Sequence, residues 1–90
     1  MIFLDLENTV IHSELSPTIL PKHKMFLENK EVIIFSSMFT VKEDLNDYTN
    51  SILKSIENYF GLVIKEICYL EPYYNSIKTN PSKSNLSAKP

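Results

Sequence analysis

The stretch "IFLDLENTVIHSE", residues 2–14, decides how this chain is read. Ile2 to Leu4 form a short apolar run that ends in Asp5, with a second acid at Glu7 and a hydroxyl at Thr9. A brief run of β-prone residues without polar interruption fits a strand buried on both faces, as in a parallel sheet. In open parallel sheets, ligands sit beyond the carboxyl ends of the strands. Asp5, Glu7 and Thr9 therefore stand where chemistry is expected.

The other elements follow in order. "PKHKMFLENK", residues 21–30, predicts a short helix with Pro21 in its first turn and Met25, Phe26 and Leu27 turned inward. Val32 to Phe35 in "EVIIFSS" make a second strand, closed by Ser36. Thr40 and Glu43 have capping-box spacing. After them Val41, Leu45, Tyr48, Ile52, Ile56 and Tyr59 recur at steps of three or four, predicting a helix over 41–60 with one apolar face. Gly61, the only glycine, stands where a left-handed C-cap belongs. "LVIKEICYL" is a third strand, or two short extended pieces parted at Lys65 and Glu66. From Glu71 onward the residues read as loop and tail. Alternating strands and helices predict an α/β fold: a minimal Rossmann-like parallel sheet with flanking helices in three layers. Residues 1–78 form the single domain of this reading and 79–90 a polar, mobile tail.

Composition narrows the function classes. Ninety residues support one small core, and five Tyr and five Phe suffice to fill it. A net charge of −2, with Lys as the only strong cation, gives no nucleic-acid signal and removes the bidentate phosphate reader that Arg provides. No apolar run is long enough to cross a membrane. One Cys, and no cationic leader before Asp5, make the cytoplasm the expected setting. Abundant Ile, Asn and Lys with a single Gly point to an AT-rich genome, such as a viral one.

"LDLENTVIHS" resembles the first motif of the haloacid dehalogenase-like superfamily, Asp-x-Asp-x-Thr after an apolar strand. The likeness is nearest to the branch of small C-terminal-domain phosphatases, and "VIIFSS" resembles the second motif, a strand ending in Ser or Thr. It covers residues 1 to about 70. The resemblance implies a Mg²⁺-dependent phosphatase that works through an aspartyl phosphate. Asp5 is then the nucleophile, Glu7 the acid and base, and both hold the metal. Ser36 (with Ser37 as its fallback) and Lys78 bind the phosphoryl group, while Thr9 supports the loop.

The chain departs from that pattern. Position 7 is Glu rather than Asp, and no apolar run ending in an acid follows Leu70, so the acidic fourth motif is absent. Among Lys65, Lys78, Lys83 and Lys89, only Lys78 is placed to serve as the third-motif lysine. The missing acid would come from Glu71 or from another subunit, or the chain would be one piece of a larger or split protein. The alternative is a degenerate domain of the same kind that binds a protein partner. It would use its exposed sheet edge, which also invites oligomers, the Tyr73–Tyr74 segment and the tail.

Plainer roles remain for several residues. Asp5 can simply cap the turn after its strand, and Ser36 can bond the turn that follows it. His12 and His23 read as surface residues and Cys68 as a buried one. Lys42, Glu43, Asp44, Asp47 and Glu57 read as a solvated helix face.

Overall fold

The computed structural model describes residues 2–73. Lys78, Tyr74 and the 79–90 tail lie outside them. The chain forms a small α/β domain with a three-stranded, wholly parallel sheet. Its strands are β1 (Ile2–Leu4), β2 (Glu31–Ile34) and β3 (Val63–Ile67), in that spatial order. α1 (Lys24–Leu27), entered through a 3₁₀ turn at Pro21–His23, links β1 to β2, and α2 (Asp47–Phe60) links β2 to β3. This arrangement is compatible with a Rossmann-like core.

Register sets which side chains share a face. Ile2, Phe3 and Leu4 pair with Val32, Ile33 and Ile34. Leu4, Val32 and Ile34 point to one side and join Leu27, Ile52, Leu53, Ile56 and Phe60 in a single core. Both helices cover that side. With the order β1-β2-β3, right-handed crossovers step the same way each time and return on one face.

The opposite face is open. Phe3, Phe35 and Val63 are 68%, 50% and 51% exposed, and the Phe3 and Phe35 rings lie 6.3 Å apart. The three-layer arrangement and the doubly buried strands expected from sequence are therefore not formed among the described residues. A contiguous apolar run is buried on both faces only where a second layer of chain exists to cover it.

α2 also departs from expectation. Its N-cap is Asn46, whose Oδ1 accepts the Thr49 N–H at 3.0 Å while Thr49 Oγ1 accepts the Asn46 N–H at 2.9 Å. Asn is the stronger cap, and Asn46 to Thr49 has the same three-residue spacing as Thr40 to Glu43. A separate 3₁₀ turn at Lys42–Asp44 precedes it, and Leu45 is extended. Phase carried forward from Val41 and Leu45 is lost across that break. The buried stripe is Thr49, Ile52, Leu53, Ile56 and Phe60, leaving Leu45, Tyr48 and Tyr59 at the surface.

Gly61 ends α2 as predicted, with φ 67° and its N–H on the Glu57 carbonyl at 2.9 Å. α1 is a single turn, and only Leu27 of the expected trio is buried; Met25 is 91% exposed. β3 is one strand rather than two pieces. A register irregularity pairs Val32 with Ile64 but Ile33 with Glu66, so Lys65 is the bulged residue. Residues 71–73 are helical where loop was expected.

Candidate functional site

The ladder between β1 and β2 stays paired to its carboxyl end, where the Phe35 N–H reaches the Leu4 carbonyl at 2.9 Å. Asp5 and Ser36 thus follow the ends of adjacent strands, Asp5 one residue and Ser36 two residues beyond the paired Leu4 and Ile34. Asp5 is exposed, and its Oδ1 accepts the Leu6 N–H at 2.8 Å. Its other oxygen takes no hydrogen bond from the described residues. Ser36 is buried, and its Oγ accepts the Met38 N–H at 3.2 Å, which makes it the hydroxyl of the turn that follows β2. Ser37 is exposed beside it.

Glu7 belongs to a loop folded on itself. The Val10 and Ile11 N–H groups both reach the Leu6 carbonyl, at 2.9 and 3.1 Å, and Asn8 takes the left-handed φ of 64° that lets the chain turn back. This coil buries Leu6, Val10 and Ile11 completely beneath the loop, so the residues between them remain accessible. The strand then returns through an antiparallel bridge between Ile11 and Ile19. Glu7 Oε2 accepts the Glu14 N–H at 2.7 Å, leaving Oε1 for other work. Tyr48, reaching across from α2, donates its hydroxyl to the Glu14 carbonyl.

Thr9 is half-buried. Its N–H bonds the Leu6 carbonyl at 3.1 Å, and the residue lines a groove with Phe3, His23 and Phe26. Glu71 is exposed, tied by its N–H to the Thr40 carbonyl at 2.8 Å. Lys65 is exposed on β3, His12 and His23 are exposed, and Cys68 is half-buried. Asp5 and Glu7 thus follow the carboxyl end of β1, and Ser36 follows that of β2.

Two members of the expected solvated face have definite partners. Asp44 Oδ2 accepts the N–H groups of Val41 and Thr40, at 3.0 and 2.7 Å. These bonds, Val41 first, hold its carboxyl below the usual value of 3.8. Glu57 Oε2 accepts the Ile64 N–H at 3.0 Å, anchoring α2 to β3. Tyr48 and Glu14 join the site by contacts that spacing could not show, since they are 34 residues apart in the chain. For Asp44 a signal existed: an acid three and four residues after the N–H groups it caps.

The donor set can be tested against the metal that the first motif implies. Asp5 and Glu7 each keep one carboxylate oxygen without a partner among the described residues, and both are hard donors. Mg²⁺ takes one or two carboxylates and completes its shell with water and phosphate oxygens. The pair fits that chemistry, although no group of three or more His, Cys, Asp or Glu capable of holding a metal occurs among the described residues. No helix among them is long and apolar enough to cross a membrane. No protein-family model, no curated protein and no solved structure matches the chain.

Proposed function

We propose that the chain is a reduced haloacid dehalogenase-like phosphatase that hydrolyses a phosphoric monoester through an aspartyl phosphate on Asp5. One observation carries this reading: Asp5 is exposed at the carboxyl end of β1, beside the strand end that holds Ser36. Asp5 attacks phosphorus, and the bond from phosphorus to the ester oxygen breaks as the new one forms. Glu7, with Oε2 held by the Glu14 N–H, uses Oε1 to give its proton to the departing oxygen. It then takes a proton from the water that attacks phosphorus, which releases phosphate and restores the Asp5 carboxylate. Ser36 can donate its hydroxyl proton to a phosphoryl oxygen while its lone pair keeps the Met38 N–H. Lys78 is the cation proposed to meet the phosphate. Asp5, and Glu7 Oε1 in the stages when it carries no proton, would hold Mg²⁺, which would neutralise phosphate charge when bound. The cytoplasm is the setting proposed for this activity.

The test is hydrolysis of a generic aryl phosphate by wild type and Asp5→Asn, with and without Mg²⁺. Turnover that requires both the ion and Asp5 supports the phosphatase. Equal rates for the two proteins, at high protein and high Mg²⁺, refute it.

A second reading, a degenerate domain that binds a protein partner, is favoured by the open sheet face and by the edge of β1, which no strand among the described residues pairs. Wholly parallel sheets are nearly always covered on both faces. Here Phe3, Phe35 and Val63 stand uncovered, and the groove lined by Phe3 and Phe26 runs beside that edge. This reading expects Asp5→Asn to keep its function, and includes oligomers formed through the edge.

A further inference from the structure

Tyr48 stands among the exposed aromatic residues, 48% accessible, yet its hydroxyl is committed. It donates to the carbonyl of Glu14, the residue whose own N–H holds Glu7 Oε2 at 2.7 Å. Both backbone polar groups of Glu14 are therefore gripped, one by α2 and one by the first-motif acid. The grip starts from a fixed point. Asn46 and Thr49 cap each other's backbone N–H groups, and the Thr49 hydroxyl donates to the Asp44 carbonyl at 2.6 Å, so the first turn of α2 is pinned where Tyr48 projects. Glu14 lies in a turn tied within itself, by the Ser13 N–H on the Ser16 carbonyl at 3.1 Å, the Ser16 N–H on Ser13 Oγ at 3.0 Å and the His12 N–H on the Thr18 carbonyl at 2.8 Å, and Leu15 beside it is 94% exposed. Among the described residues no other hydrogen bond joins residues 12–18 to α2.

From this geometry we infer that Tyr48 is a positioning residue for Glu7, acting through the backbone of Glu14. The inference rests on the phosphatase reading for its catalytic consequence. Its structural content, that the tyrosine hydroxyl holds the loop that holds the Glu7 carboxylate, stands apart from that reading. Glu7 is one methylene longer than the Asp it replaces in the motif, so its carboxylate has an extra torsion to restrain. A misplacement of about 1 Å can cost about a hundredfold in rate, and loss of an outer hydrogen-bonding partner commonly costs about ten to a hundredfold. The clamp supplies the missing restraint at the proton-carrying group.

Tyr48→Phe removes the hydroxyl and keeps the ring. Amide hydrogen exchange at Glu14 is expected to quicken about fivefold or more, as the exposed hydrogen bond that steadies the Glu14 carbonyl is lost. In Mg²⁺-dependent aryl phosphate hydrolysis, kcat is expected to fall about tenfold with KM within about twofold, since the substrate's contacts are untouched. In a Glu7→Gln background the same change is expected to cost nothing further, because both substitutions act on one group. Tyr59→Phe, on the same helix, is the control expected to match wild type. If wild type turns over substrate and Tyr48→Phe matches it in kcat and Glu14 exchange, the inference is overturned. It is likewise overturned if the loss persists in the Glu7→Gln background. If wild type shows no turnover, the phosphatase reading fails by itself. Glu14 exchange then decides the clamp: faster in Tyr48→Phe supports it, unchanged overturns it.

Discussion

Replacing Gly61 with Ala measures how much of this fold depends on one backbone conformation. Gly61 closes α2 at φ 67°, donates to the Glu57 carbonyl at 2.9 Å and accepts the Asn29 N–H at 2.8 Å. A Cβ built there meets only Glu28 Cγ, at 3.8 Å, an ordinary contact. Steric overlap with neighbours therefore contributes nothing, and the cost is that of a left-handed L-residue, about 1–2 kcal/mol. The stiffer unfolded chain of the alanine variant adds to this an offset of about 0.4–1 kcal/mol in the other direction. The net expectation is a loss of about 1 kcal/mol, which lowers Tm by about 4–8 °C in a domain of this size. Gly61→Asn should fall between Ala and wild type, because Asn tolerates this conformation, as Asn8 and Asn29 already do at φ 64° and 63°. Urea unfolding, with the midpoint shifting at constant slope, is the assay. An alanine variant as stable as wild type, or an asparagine variant less stable than the alanine one, would refute the reasoning.

Two further outcomes follow from packing and charge. Asp44→Ala should destabilise the protein by about 0.5–2 kcal/mol near neutral pH, since the carboxylate receives both the Val41 and Thr40 N–H groups. The folded pKa lies below its usual 3.8, so this contribution is complete above that value and is lost as pH falls through the lowered one. Urea midpoints of wild type and variant measured from pH 7 to pH 2 should therefore converge in acid; a constant gap would count against it. Leu4→Ala, in the covered core, should cost about 2–5 kcal/mol, whereas Phe3→Ser on the open face should stay within about 0.5 kcal/mol. Equal losses in urea unfolding would show that Phe3 is covered in solution.

Much of the fold was legible because its signals are local. Apolar runs marked the three strands, and Gly61 marked the end of α2. The start of α2 was misplaced because Thr40–Glu43 and Asn46–Thr49 offer the same spacing, and only the backbone of Leu45 decides between them. The buried stripe shifted for the same reason, which turned Tyr48 from an expected core residue into the group that holds Glu14. At the candidate site, the placement of Asp5 and Ser36 at neighbouring strand ends was readable from the runs that precede them. That Glu7 has one oxygen engaged, and that Ser36 serves its own turn, was not readable, because both depend on how the loops coil.

By itself the sequence determined the strand and helix alternation, the parallel sheet, the left-handed stop at Gly61 and the polar residues beyond the strands. These depend on residue type over a few neighbours, where sterics and burial preference act directly. Only the tertiary structure decided that both helices return to one face, leaving Phe3, Phe35 and Val63 open, and that α2 reaches the loop after β1 through Tyr48. Those outcomes follow from the direction of the crossovers and from contacts between distant parts of the chain. Neither leaves a periodicity that can be read along it.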